Sequence, residues 1–202
     1  MTPLIEAPSD RLLAGIKSLL EAKGIATAEE IAERVAQTDR ASPAQGERMV
    51  ARAWTDPGYR ALLLRDGAQA AEAMGITMRG LPPLGVLENT AEVHNLVVCT
   101  LCSCYPRAVL GYPPFWFKSA AYRARAVRDP RGVLAEWGTA LPDGTRISVV
   151  DSTADYRWMV LPRRPAGTEG WDEERLAGLV REGDMIGVTV PLPPFPSGKG
   201  PG

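Results

Sequence analysis

All three cysteines of this chain stand in one short segment, Cys99-Thr-Leu-Cys102-Ser-Cys104, directly after the apolar run Leu96-Val-Val98. An odd number of cysteines in one loop does not make a disulfide framework, which needs paired cysteines spread along a chain. A disulfide between Cys102 and Cys104 would also close a very small, strained ring. Three sulfurs at this spacing are suited to binding a metal ion. The sequence therefore predicts a metal site in this loop.

The spacing of the three cysteines fits one kind of metal coordination better than another. Structural zinc needs a fourth protein ligand, and the only histidine, His94, stands an odd number of residues before Cys99 and so on the opposite face of a strand. We expect His94 to be a hydrogen-bonded structural residue. The thiolates of Cys102 and Cys104 could instead bind one metal ion in a plane together with the backbone nitrogens of Ser103 and Cys104. The Cys99 sulfur would then be an axial ligand, and water would take the sixth position. Such ligands favour a transition metal over zinc, and a trivalent ion would act as a Lewis acid.

The first third of the chain has the pattern of amphipathic helices. Leu12, Ile16 and Leu20 recur at helical spacing, and Gly24 is placed to end that helix. Residues 1–74 are predicted to be a helical N-terminal arm, which either packs on its own core or embraces a partner subunit. Helix starts are indicated by Thr27 with Glu30, by Ser42-Pro-Ala-Gln45 and by Asp56-Pro57.

Short apolar runs and prolines replace the helical pattern from Gly75, which predicts an α/β metal-binding domain over residues 75–190. The strand that ends at Val98 carries the cysteine loop just past its end, where a rigid sheet can position it. The predicted strands are Val86-Leu87, Leu96–Val98, Ile147–Val150, Tyr156–Leu161, which is expected to pair antiparallel with the run before it, and Met185–Val188.

Two more helices are expected in this domain. One begins at Pro113-Pro114 and is expected to run to about Val127, and a final helix is capped by Asp172. The proline- and glycine-rich residues 191–202 are predicted to be a flexible tail. The expected fold class is α+β, with the helical arm followed by the layered α/β domain.

Composition excludes several classes of function. The formal net charge of −1 gives no overall field that would draw the chain to nucleic acid or to a membrane surface. No apolar run approaches the ~20 residues of a membrane span, and the first residues lack the basic and apolar segments of an export signal. Three cysteines kept for a metal fit a reducing compartment. We therefore expect a cytoplasmic protein that binds neither nucleic acid nor membrane.

The cysteine loop and its flanks resemble the α subunit of nitrile hydratase, and the expected fold is accordingly that of this subunit. The resemblance extends over about residues 86 to 188. Its motifs are Val93–Pro106, Val109-Leu-Gly111, Pro113-Pro114, Trp116–Ser119, Tyr122–Arg125, Asp129-Pro-Arg131, Val160-Leu-Pro162, Arg164–Trp171 and Met185-Ile-Gly187.

This resemblance implies a specific metal centre. The family holds Co(III) or Fe(III), and Thr100 after the first cysteine is typical of its cobalt members. Carried onto this chain, Cys99 remains a thiolate, Cys102 is a sulfinic acid and Cys104 a sulfenic acid, which are known steps of cysteine oxidation. Ser103 and Cys104 contribute amide nitrogens. The implied metal ligands are thus Cys99, Cys102, Ser103 and Cys104, with Cys102 and Cys104 also catalytic.

The implied function is that of a lyase subunit which hydrates a nitrile to its amide within a hetero-oligomer. Its expected partners are a β-type subunit, as one chain or split into two, a metal-loading accessory protein and a small nitrile. Two departures from the family pattern are Arg107, where tryptophan is common, and the shortened segment Gly80–Gly85. An arginine beside the motif is also similar to the γ subunit of thiocyanate hydrolase, so hydrolysis of thiocyanate to carbonyl sulfide and ammonia is an alternative. A noncatalytic alternative is a structural or metal-sensing zinc protein.

Overall fold

The structure, a computed structural model, describes residues 8–102 and 104–192, and the chain divides into two compact units after Arg40. The first unit holds helices α1 (Pro8–Ala22) and α2 (Ala28–Arg40). The capping box predicted at the start of α2 is confirmed, because Glu30 N donates to Thr27 Oγ1 at 3.1 Å and Thr27 N donates to Glu30 Oε2 at 2.8 Å. Several apolar side chains of α1 are exposed, among them Leu12 and Leu19.

The second unit begins with helices α3 (Pro43–Thr55), α4 (Pro57–Arg65) and α5 (Gly67–Ala73). Ser42 caps α3 and Asp56 caps α4, as their sequence signals predict. Gln45, however, accepts a hydrogen bond from Arg48 at 3.3 Å, so only the serine half of the predicted capping box forms among the described residues. The predicted arm, residues 1–74, thus spans the division between the units, and its contact with a partner stays a prediction.

Within the described residues, four strands form two parallel pairs. Strand β1 (Leu84–Glu88) pairs with β4 (Arg157–Leu161), and β2 (Val93–Val98) pairs with β3 (Arg146–Asp151). The α+β fold class is confirmed, but the predicted antiparallel pair of residues 147–150 and 156–161 is wrong. The turn signal at residues 143–144 lies before β3 and not between the two strands. Each of these strands pairs with a strand from earlier in the chain. Largely buried strands such as β2 and β4 are typical of parallel pairing.

The remaining helices are short: α6 (Arg107–Leu110), α7 (Phe115–Lys118), α8 (Ala120–Arg128), α9 (Pro130–Glu136), α10 (Glu173–Ala177) and α11 (Glu182–Ile186). The continuous helix predicted from Pro113 is wrong, because Ser119 adopts extended backbone angles and its Oγ caps α8. Asp172 caps α10 as predicted, yet α11 follows. The strand predicted at residues 185–188 is also wrong, since α11 covers its first two residues and Gly187 ends the helix at a φ of 89°.

The buried core of the second unit surrounds the two strand pairs. Val97, Met159 and Phe117 are fully buried there. His94 is buried beside them, where its Nε2 lies 2.7 Å from the Gly187 carbonyl oxygen and its Nδ1 lies 3.1 Å from the amide nitrogen of Asn89. These bonds confirm the structural role predicted for His94. Burial lowers its pKa, so the neutral ring is favoured.

Within residues 8–102 and 104–192, no helix is long and apolar enough to cross a membrane. Most of the predicted flexible tail, residues 193–202, lies outside the described residues, as does Ser103. The cysteine loop lies between the end of β2 and the start of α6, against a largely apolar core.

Candidate metal centre

The three cysteine sulfurs converge directly after β2. The Sγ atoms of Cys99 and Cys102 lie 3.3 Å apart, those of Cys102 and Cys104 lie 3.0 Å apart, and all three fall within 4.8 Å of one another. Cys99 and Cys104 are buried, whereas Cys102 is exposed. No disulfide joins these described cysteines. The structure thus brings together the three predicted sulfur ligands, while the predicted ligand Ser103 lies outside the described residues.

The spacing of these sulfurs bears on the kind of metal that fits. Two sulfurs bound at a right angle to an ion about 2.3 Å away would lie about 3.3 Å apart, whereas a tetrahedral angle would separate them by about 3.8 Å. For two of the three sulfur pairs, the separations of 3.0 and 3.3 Å are closer to the right angles of planar or octahedral coordination; the third pair lies within 4.8 Å. Zinc in structural sites is almost always tetrahedral, so this donor set fits a transition metal with octahedral preference better.

The environment of Cys104 favours its neutral thiol in the absence of a metal ion. Burial, with hydrogen bonds to Cys102 and Cys99, raises the pKa of the Cys104 thiol to about 12, and the positive charge of Arg157 opposes that rise. Without a cation this thiol would stay protonated at neutral pH. A bound metal ion reverses this, because a coordinating thiol is deprotonated outright. A metal ion bound here would therefore have to displace the proton of Cys104.

Two side chains from other elements hold the loop beside Thr100. The Asp151 carboxylate, at the end of β3, accepts hydrogen bonds from Thr100 N at 3.0 Å and from Thr100 Oγ1. On α8, Arg123 donates from Nη1 to the Thr100 carbonyl oxygen at 3.0 Å. The register of the β2–β3 pair sets Asp151 opposite Val98, next to the first cysteine. The loop is thus tied to a strand end, where positional precision is highest.

The other end of the loop is tied to α11. Tyr105, which follows the last cysteine, donates from its hydroxyl to Glu182 Oε1 at 2.6 Å, and its ring packs edge-on against Phe117 with centroids 5.0 Å apart. Burial raises the pKa of both Tyr105 and Glu182. Tyr122 of α8 donates to the Val97 carbonyl oxygen at 2.6 Å, just before the loop.

A cavity of about 400 Å³ opens beside Cys102 and Cys104. Its walls are mainly apolar, and two arginines, Arg107 and Arg157, are the cationic side chains among its described lining residues. The guanidinium carbon of Arg107 lies 5.6 Å from the ring centre of Tyr112. The apolar lining residues are Met78, Leu81, Pro82, Leu84, Pro106, Ala108 and Val109. Part of this wall, namely Leu81, Pro82 and Leu84, comes from the segment Gly80–Gly85.

The sequence did not single out four residues that the structure places around the loop: Asp151, Arg123, Arg157 and Glu182. Only Asp151 had a readable signal, because it ends an apolar strand and so stands where a loop that could carry functional residues begins. Arg123 stood among several basic residues of one stretch, and nothing in that stretch distinguished it.

Comparison with known proteins adds an independent finding. The family model for nitrile hydratase, alpha chain, matches residues 7–189. The low-molecular weight cobalt-containing nitrile hydratase subunit alpha of Rhodococcus rhodochrous is 55% identical over 152 residues, covering 75% of this chain and 73% of the relative. The thiocyanate hydrolase subunit gamma of Thiobacillus thioparus is 41% identical over 204 residues, covering 95% of this chain and 84% of the relative.

A solved structure shares the fold along nearly the whole chain. A double mutant of the Fe-type nitrile hydratase from Comamonas testosteroni Ni1 matches with a TM-score of 0.78 at 39% identity. The match covers 98% of this chain and 97% of that one.

Proposed function

Because the chain belongs to the nitrile hydratase alpha-chain family, we propose that it is the metal-binding subunit of a cobalt nitrile hydratase, a lyase that hydrates a nitrile to its amide. The observation that carries the proposal is the convergence of three sulfurs within 4.8 Å beside an apolar cavity. The name of the cobalt-containing relative, at 55% identity, supports cobalt. The Fe-type structural neighbour leaves Fe(III) as the alternative metal.

The metal ligands that we propose are the sulfurs of Cys99, Cys102 and Cys104 with the backbone nitrogens of Ser103 and Cys104. The right-angle spacing of the sulfurs supports this set. What the bound Co(III) supplies is Lewis acidity toward a nitrile or a water molecule. The exposure of Cys102 leaves that side of the loop open to a small molecule.

This chain's own residues would orient the substrate and supply the oxygen chemistry. Hydration adds one water across the carbon–nitrogen triple bond, with oxygen bonded to carbon and two hydrogens ending on nitrogen. As a sulfenic acid, Cys104 would carry an oxygen that either attacks the nitrile carbon as a nucleophile or, as a base, takes a proton from the water that attacks this carbon. Cys102, as a sulfinic acid, adds negative charge beside it. Met78 and Leu81 line the cavity where an apolar substituent of the nitrile would lie.

A partner subunit completes the proposed enzyme. Two large apolar side chains are strongly exposed: Leu101, within the cysteine loop, at 91% and Phe115, the first residue of α7, at 85%. Exposed apolar clusters mark interaction surfaces, and arginine donors from a partner would bind the oxidised cysteines through charge-assisted hydrogen bonds. We expect a β-type subunit, as one chain or two, and a separate metal-loading accessory protein.

The test is to express the chain in the presence of cobalt together with a β-type subunit of a cobalt nitrile hydratase. Elemental analysis should find one cobalt per chain, and each of C99A, C102A and C104A should lose stoichiometric metal. The purified complex should convert organic nitriles to amides. Full occupancy by zinc, or amide formation by the chain without any partner, would contradict the corresponding part of the proposal.

Thiocyanate hydrolysis is the second candidate. Arg107 and Arg157 line the cavity, and two guanidinium groups would attract a small linear anion. The 41% identical relative is a thiocyanate hydrolase subunit, but the relative named for nitrile hydratase is more similar at 55%. An assay with nitriles and thiocyanate in parallel separates the two. Carbonyl sulfide without amide would overturn the nitrile assignment.

A further inference from the structure

The cavity beside Cys102 and Cys104 carries positive charge without a matching acid. Arg107 and Arg157 line it, and no aspartate, glutamate or histidine stands among its described lining residues. The rest of the lining is mostly apolar. A cleft with charges of one sign and low-dielectric walls concentrates the field of those charges. The cavity therefore favours an anionic ligand over a cationic one.

The two arginines differ in what surrounds them. Arg157, the first residue of β4, is half-buried, and its positive charge opposes the rise in the pKa of the Cys104 thiol, so this charge acts on the cysteine loop. Arg107 is exposed and forms no ion pair with any carboxylate of the described residues. Arg107 is therefore the cation of this cavity that is available to a ligand entering from solvent.

An aromatic ring lies beside Arg107. The ring centre of Tyr112 is 5.6 Å from the guanidinium carbon. A ring attracts the charge of a cation, and this attraction does not require the planar fork of N–H donors. Those donors match the two oxygens of a carboxylate, and a single guanidinium matches its one negative charge. Arg107 is thus suited to bind a carboxylate group.

Arg107 and the cysteine loop are close enough to contact one small molecule. Arg107 follows Cys104 by three residues, so their Cα atoms are at most about 11 Å apart. Arg107 N donates to the Tyr105 carbonyl oxygen at 2.9 Å, which means that the backbone turns at Pro106. The cavity volume of about 400 Å³ lies within the range of sites that bind small organic ligands.

We propose that the substrate is a nitrile that also carries a carboxylate, and that Arg107 determines this specificity by donating charge-assisted hydrogen bonds to the carboxylate. The inference rests on the proposed function, because it requires the nitrile group to react at the cysteine loop. Apolar side chains such as Leu81 and Val109 line the space for the carbon skeleton between the two groups. Water adds across the carbon–nitrogen triple bond as before, and the carboxylate leaves the reaction unchanged.

The expected effect is on substrate binding. The carboxylate does not react, so Arg107 would bind it equally in the ground state and the transition state, and removing Arg107 should raise KM with kcat nearly unchanged. A hydrogen bond to a charged group at an exposed site corresponds to a factor of about ten. Lysine keeps the positive charge but loses the fork of donors, so R107K should retain part of the effect.

The experiment uses the cobalt-loaded complex with its β-type subunit, as wild type, R107M, R107K and the control R146M. Arg146, the first residue of β3, is exposed and stands outside the described lining of the cavity, so R146M removes the same charge elsewhere. The substrates are meta-cyanobenzoate, para-cyanobenzoate and cyanopropionate, each paired with its neutral amide of similar shape. The readout is the ratio of kcat/KM for the carboxylate to kcat/KM for its amide, which does not depend on the fraction of active complex.

Wild type should favour the carboxylate in at least one pair, and R107M should lower that ratio about tenfold through KM. R107K should be intermediate, and R146M should match wild type. No preference for any carboxylate in wild type, or an unchanged ratio in R107M, would overturn the inference. If R107M does not assemble, R107Q, which also lacks the charge, gives the same comparison.

Failure of the proposed function looks different. A wild-type complex that hydrates benzonitrile and the neutral amides, but the carboxylates no better, would overturn only the role of Arg107. A cobalt-loaded wild-type complex that hydrates neither benzonitrile nor any member of the three pairs would refute the proposed function, and this inference with it.

Discussion

Replacing Asp151 by asparagine tests how the sheet positions the cysteine loop. The Asp151 carboxylate accepts from both the backbone nitrogen and the hydroxyl of Thr100, which stands directly after the first cysteine. Asparagine is nearly isosteric, but only one of its two terminal atoms accepts hydrogen bonds. In D151N the amide oxygen can still accept from the Thr100 backbone nitrogen, and the amide nitrogen can only donate to the Thr100 hydroxyl, so both bonds lose their charged acceptor with little change in shape.

The magnitude follows from the loss of the charged acceptor. A hydrogen bond to a charged group contributes about 1.5–3 kcal/mol, and the exposure of Asp151 places it at the lower end of that range. A loss of about 1.4 kcal/mol corresponds to a factor of roughly ten in an equilibrium constant. Since the loop must adopt its bonded conformation to present three sulfurs together, we expect D151N to weaken cobalt binding about tenfold.

The assay is chelator competition on the cobalt-loaded complex, applied to wild type, D151N, T100V and the double variant. Valine removes the Thr100 hydroxyl at similar size, so the double-mutant cycle isolates the coupling between the two side chains. We expect a coupling of about 1 kcal/mol. T100S, which keeps the hydroxyl, should bind cobalt like wild type. Simple additivity of D151N and T100V would refute the reasoning.

Further predictions concern the core and the ionisable groups around the site. Burial raises the pKa of Glu182, so the folded state favours the protonated side chain. This contribution to the free energy of unfolding is present below pH 4.5 and is lost as the pH rises through the raised pKa. In thermal unfolding, E182Q should therefore gain stability relative to wild type between about pH 4 and pH 7. H94Q should retain one cobalt per chain by elemental analysis, because the His94 ring binds Gly187 and Asn89; loss of the metal would contradict its structural role. G187A should destabilise far more than G24A, since both residues have positive φ but an added Cβ at Gly187 would lie 2.0 Å from a carbonyl oxygen, whereas Gly24 faces open space. Equal melting temperatures for the two glycine variants would contradict this.

The parts of the site that sequence predicted are those encoded by local spacing. Cys99, Cys102 and Cys104 lie within one loop, so their convergence needs no knowledge of distant contacts. The helix starts at Thr27 and Asp56 were likewise readable, because a capping residue binds backbone nitrogens two or three positions away.

The parts that sequence missed depend on distant partners. Asp151 reaches Thr100 across 51 positions, and only the parallel register of β2 and β3 brings them together. A short apolar run is equally compatible with a strand or a buried helix, which is why residues 185–188 were misassigned. The left-handed backbone conformation of Gly187 decides between strand and helix here. It ends α11 and lets the backbone approach His94.

The parallel pairing of β2 with β3 also has a consequence for synthesis on the ribosome. Thr100 is added to the chain 51 residues before Asp151, the group that will anchor it. At about 5–20 residues per second, roughly 3–10 seconds separate the two additions. During that interval the three thiols have left the catalytic centre of the ribosome without the carboxylate that later holds their loop. Nascent chains therefore pass through a stage in which the three cysteines have been added but Asp151 has not. The order of translation leaves the cysteine loop without its hydrogen bonds to Asp151 until β3 has been added.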